Sequence, residues 1–160
     1  MEEKNLDQVC EIYKQYLSQA KTERECVSLL VKLAKENGYR ELDEYKELKP
    51  NDKIVIPYMN KCIALFQVGK QPLEKGMNIL GAHIDSPRLD VKQNPLYENE
   101  GFAYLDTHYY GGIKKYQWVT QPLAIHGVVV KKDGQKVEIQ IGEKEDDPVF
   151  VITDLLVHLS

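Results

Sequence analysis

Apolar residues near the start of the chain recur at intervals of three and four, a spacing that predicts two amphipathic helices. The second helix has clear boundaries: Thr22 followed by Glu25 fits a capping box, and Gly38 stands where a left-handed residue ends a helix. The first apolar face comprises Leu6, Val9, Tyr13, Tyr16 and Leu17, and the second comprises Cys26, Leu29, Leu30, Leu33 and Ala34. A polar connector broken at Pro50 then separates these helices from the next part of the chain.

The pattern changes after Pro50 to short apolar runs, which predict strands. Two strands are expected around a turn near residues 59–61. The stretch "GMNILGAHID" predicts a further strand with His83 and Asp85 at its C-terminal end, and "PRLDVK" extends it beyond a kink at Pro87. "NPLYENEG" separates this strand from "FAYLDTHYY". In "LAIHGVVVKKDGQKVEIQI" alternating residues flank Asp133-Gly134, which predicts a hairpin. Helices followed by strands indicate an α/β chain, of α+β type within this segment.

Charge and cysteine content narrow the class of protein. The 160 residues carry a net charge of -4, which gives no electrostatic basis for binding nucleic acid or an anionic membrane. No apolar run reaches the roughly eighteen residues of a membrane span, and the acidic start is not a secretory signal. The three cysteines lack Cys-x-x-Cys spacing and indicate reduced thiols of a cytoplasmic protein. The apolar ending "VITDLLVHLS" predicts that the chain is a segment of a longer protein.

The candidate chemistry lies in "GAHIDSPRLDVK". Residues two apart on a strand share a face, so His83 can bind a metal while Asp85 orients its ring through the other nitrogen. The same pair can instead form a purely structural hydrogen bond at the end of a strand, and both interpretations stay open on this triplet alone. A catalytic zinc also needs about three protein ligands. His126 in an apolar strand is expected to be a half-buried sheet residue, and His108 among tyrosines is expected to have a surface or packing role.

Four motifs follow one another along nearly the whole chain: "HIDSPR", "HYYGGIKKYQW", "VTQPLAIHGVVV" and "ITDLLVHLS". In content and order they resemble the aspartyl aminopeptidase family of zinc exopeptidases, which includes vacuolar aminopeptidase I. One departure stands out, because Thr120 and Gln121 occupy places where many relatives have Asp-Arg. Family members are much longer, so the resemblance implies that this chain is their N-terminal portion.

The resemblance implies a fold and a site. Residues 1–93 would begin the α/β zinc-peptidase domain, and residues 94–160 would begin an inserted β-rich domain used for assembly. His83 would be a zinc ligand, Asp85 its orienting carboxylate, and His158 a catalytic residue that reaches a neighbouring subunit's active site. The remaining ligands of two zinc ions, and a glutamate acting as general base, would lie beyond Ser160.

By the same likeness the full protein would be a homo-oligomer that removes N-terminal residues, Asp or Glu by preference, from peptides. The 160 residues alone are expected to bind zinc weakly and to hydrolyse nothing. Two alternatives remain: a non-catalytic β-rich interaction module, and another His-x-Asp metallohydrolase of similar α/β build.

Overall fold

Two helices open the chain in a computed structural model that describes residues 3–155. Helix α1 spans Glu3–Gln19 and helix α2 spans Glu23–Glu36. The predicted capping box is confirmed: the Glu25 amide donates to Thr22 Oγ1 at 3.3 Å, and the Thr22 amide donates to Glu25 Oε2 at 2.9 Å. These bonds satisfy two backbone amides that the first turn leaves without helical partners.

The end of α2 also follows the prediction. Gly38 has a φ of 82°, the left-handed conformation that glycine adopts without a Cβ clash. The Tyr39 amide then donates to the Ala34 carbonyl and the Gly38 amide to the Lys35 carbonyl. These two bonds form a Schellman motif, which satisfies carbonyls that the last turn would leave unpaired.

The two predicted helix faces differ in burial. In α2, Cys26 and Ala34 are buried, together with Val27, whereas Leu33 remains exposed. In α1, Tyr16 contacts the Sγ atom of Cys26 and is half-buried, and burial followed by this hydrogen bond raises the pKa of its hydroxyl. The other predicted apolar positions of α1 are exposed, namely Leu6, Val9, Tyr13 and Leu17. The spacing of apolar residues therefore predicted this helix correctly, but no described residue packs over most of its apolar face.

A three-stranded sheet accompanies the helices. Strand β1 (Arg40–Glu41) pairs in parallel with β2 (Lys53–Tyr58), which pairs antiparallel with β3 (Cys62–Gln67). The predicted turn between β2 and β3 is confirmed, with positive φ values at residues 59 and 60. Helix α2 packs against β2 and β3, and the side chains of Ile54 and Val55 in β2 are buried. The buried apolar residues of this part of the chain therefore come from α2 and β2.

The strand predicted for "GMNILGAHID" is wrong. Residues 76–87 have no strand assignment, and the Leu80 side chain is 99% exposed. An extended segment becomes a strand only when a neighbouring strand accepts its backbone hydrogen bonds. No described residue provides such a partner. His83 and Asp85 consequently lie in an irregular segment rather than at the end of a strand.

Strands β4 (Arg88–Asn99) and β5 (Phe102–Tyr110) form a long antiparallel ribbon. The break predicted at "NPLYENEG" is wrong, because most of these residues belong to β4. Its register against β5 shifts between Val91 and Leu96, which makes an irregular stretch that contains Pro95. Proline is compatible with a strand at such an irregularity because no ladder hydrogen bond is needed from its nitrogen.

The hairpin around Asp133-Gly134 is confirmed by strands β6 (Ile125–Val130) and β7 (Lys136–Ile141). Gly134 has a φ of 85°, and the Lys131 amide donates to the Gln135 carbonyl across the loop. Isolated bridges link Val119 to Ile152 and Leu123 to Phe150. Three short 3-10 helices complete the described elements, at Leu42–Glu44, Leu73–Lys75 and Lys115–Gln117.

The fold class is α/β, with two helices and several small sheets among the described residues. The chain divides into two compact units, Met1–Asp85 and Ser86–Ser160. The domain boundary predicted between residues 93 and 94 falls within β4. The two units instead divide before β4, so the β4–β5 ribbon belongs wholly to the second unit. Whether the units correspond to a catalytic domain and an insert stays a prediction. Within residues 3–155, no helix is both long and apolar enough to cross a bilayer.

Candidate metal centre

His83 and Asp85 contact each other directly. His83 Nδ1 lies 3.2 Å from Asp85 Oδ1 and 3.1 Å from the Asp85 backbone carbonyl oxygen. The His83 side chain is 84% exposed and that of Asp85 is 34% exposed. The two residues predicted to act together are therefore adjacent, although the segment that holds them is irregular rather than a strand.

The two contacts determine which nitrogen of the imidazole carries hydrogen. Both oxygens near Nδ1 belong to acceptors, because an ionised carboxylate and a carbonyl have no hydrogen to donate. Nδ1 must therefore be the donor, and the neutral ring is the tautomer with hydrogen on Nδ1. Its lone pair is then on Nε2, at the opposite side of the ring from Asp85. This is the arrangement in which a carboxylate fixes the ring of a metal-binding histidine.

The described residues supply only part of a metal site. A catalytic zinc in a protein has about three protein ligands. Within residues 3–155, no group of three or more His, Cys, Asp or Glu side chains could hold a metal ion. The described residues therefore fit a zinc site in part, because they supply one imidazole ligand and the carboxylate that would orient it. His158, the third predicted site residue, lies outside the described residues, and its role stays a prediction.

His126 lies on β6, as predicted, and its side chain is only 10% exposed. Its Nε2 atom is 2.8 Å from Glu143 Oε1, just beyond the end of β7. Sequence reasoning missed this partner, although the hairpin register carried a signal. Because Ile125 pairs with Ile141, the open end of the hairpin brings residue 126 towards residues 140–143. The pair closes the base of the hairpin, so a structural role agrees with the prediction for His126.

His108 also agrees with its predicted packing role. It lies on β5, is exposed, and its ring stacks on Tyr109 with centroids 5.2 Å apart.

The charged residues after His83 and Asp85 also take part in structural contacts. Arg88 Nε donates to Asp90 Oδ1 at 2.8 Å, and the Arg88 guanidinium lies over the Tyr110 ring at 4.4 Å. The first contact lies within β4, and the second links the first residue of β4 to the last residue of β5.

The chain belongs to the M18 family of metallopeptidases, because residues 16–160 match the sequence model of the family described as "Aminopeptidase I zinc metalloprotease (M18)". The resemblance drawn from the motifs is thereby confirmed. A histidine held by a carboxylate is a common component of zinc centres, and His83 and Asp85 form such a pair in this chain.

Individual relatives agree with this assignment. The chain is 56% identical over 152 residues to a probable M18 family aminopeptidase 1 from Clostridium acetobutylicum, covering 92% of this chain and 33% of that protein. It is 51% identical over 160 residues to a protein of the same description from Borrelia garinii subsp. bavariensis, covering 99% and 35%. The chain thus spans about a third of the length of these relatives.

Solved structures give the same result for the fold. An M18 family aminopeptidase from Thermotoga maritima superposes with a TM-score of 0.89 at 45% identity, covering 99% of this chain and 35% of that one. Aminopeptidase I from Clostridium acetobutylicum superposes with a TM-score of 0.80 at 54% identity, covering 99% and 36%. The described elements therefore form part of the M18 fold.

Proposed function

We propose that this chain provides part of the active site of a zinc-dependent aminopeptidase, with His83 as a zinc ligand through Nε2 and Asp85 as the residue that positions it. The observation that carries the proposal is the pair of contacts from His83 Nδ1 to Asp85 in a chain of the M18 family. The other ligands and the general base come from the two thirds of the relatives' length that this chain does not span.

The chain's own contribution is orientation. Asp85 accepts the Nδ1 hydrogen, which keeps the lone pair on Nε2 and makes that nitrogen more basic towards a cation. The His83 side chain is exposed, so its ring is accessible to a zinc ion whose other ligands come from other parts of the polypeptide. When bound, zinc supplies Lewis-acid chemistry: it polarises a carbonyl and lowers the pKa of a coordinated water.

The finer points of the function rest on the family resemblance, and the location rests on the three cysteines without Cys-x-x-Cys spacing. We propose two zinc ions per subunit, peptides as substrates with an acidic N-terminal residue preferred, a cytoplasmic location, and a homo-oligomer as the working form. His158 is proposed to act in a neighbouring subunit's active site. Release of N-terminal Asp, Glu and Leu from matched peptides by the assembled enzyme would rank the substrates, and sedimentation velocity would give the number of subunits.

A chimeric enzyme tests the metal assignment. The part of this chain that aligns with the Clostridium acetobutylicum relative replaces the equivalent third of that protein, to which it is 56% identical over 152 residues. We expect the chimera to bind zinc and release N-terminal residues. His83→Gln should remove a ligand and lower both bound zinc and kcat. Asp85→Asn should weaken zinc affinity by about 10- to 100-fold, the usual effect of losing such a positioning group.

The matched control is His108→Gln, which removes another exposed imidazole from a position unrelated to the proposed site. It should leave bound zinc and turnover unchanged. If His83→Gln retained full zinc content and activity, the role of His83 would be structural and the interaction-module alternative would be favoured. Retained zinc with activity only on amides that are not peptide N-termini would instead favour the other metallohydrolase.

A further inference from the structure

We draw no further inference here: the strongest candidate, the exposed apolar face of the β4–β5 ribbon that includes Val91, Leu96 and Tyr109, carries nothing because no contact among the described residues shows whether the rest of a longer polypeptide or another molecule covers it.

Discussion

The buried residue Val55 in β2 gives a quantitative prediction. Val55 is 0% exposed, so Val55→Ala removes both methyl groups from a fully buried position. The lost transfer free energy is about 1.6 kcal/mol, at about 0.8 kcal/mol for each carbon. A residual cavity of about 40 Å³ adds about 1 kcal/mol at about 24 cal/mol per Å³. The free energy of unfolding should therefore fall by about 2–3 kcal/mol.

Ile56 on the same strand is the matched comparison. It is 38% exposed, and Ile56→Ala removes one carbon more than Val55→Ala does. Because this position already contacts water, the loss should be about 1–1.5 kcal/mol with little cavity contribution. Urea unfolding of the 160-residue chain, followed by far-UV circular dichroism, measures both from the midpoints at equal m-values. An equal or larger loss for Ile56→Ala would refute the assignment of Val55 to the core.

Substitutions at three further positions test local features. Thr22→Ala should lower the free energy of unfolding by about 1 kcal/mol, because it removes the side-chain half of the capping box, and urea titration measures it. Thr120→Asn should raise the thermal midpoint, because Thr120 has a φ of 56° and asparagine tolerates this region better than a β-branched residue; Thr120→Val, still β-branched, should give no gain. Asp147 accepts hydrogen bonds from the backbone amides of Lys144 and Gly142, which lower the pKa of its carboxyl below the ordinary value of 3.8. Its stabilising contribution is present above that value and is lost as pH falls through the lowered folded-state pKa, so the stability difference between wild type and Asp147→Asn should shrink on acidification. A difference that stays constant from pH 7 to pH 2 would contradict this account.

Local signals in the sequence were sufficient for several elements. The Thr22–Glu25 capping box and Gly38 each define a helix end through hydrogen bonds between residues a few positions apart. The β6–β7 hairpin was predictable for the same reason, because the Asp133-Gly134 turn and the alternation beside it fix its register. In these places the interactions that determine the structure lie close together in the chain.

Non-local pairing explains the errors. The apolar run before His83 has strand-like composition, but composition does not show which neighbour accepts its backbone hydrogen bonds, and no described residue does. The break predicted near Pro95 failed because β5 continues to pair with β4 across a register shift. The His83–Asp85 contact was nevertheless predictable, because two residues separated by a single position can meet in an irregular segment as well as on a strand.

We propose that Nε2 of His83 binds zinc while Nδ1 donates to Asp85. Anomalous diffraction at the zinc edge, from crystals of the active chimera, tests it most directly. We expect a zinc peak about 2.0–2.1 Å from His83 Nε2, the usual length of a zinc–imidazole bond, with Asp85 still at Nδ1. A zinc peak bonded to Nδ1, or a fully loaded centre with His83 beyond bonding distance, would contradict it.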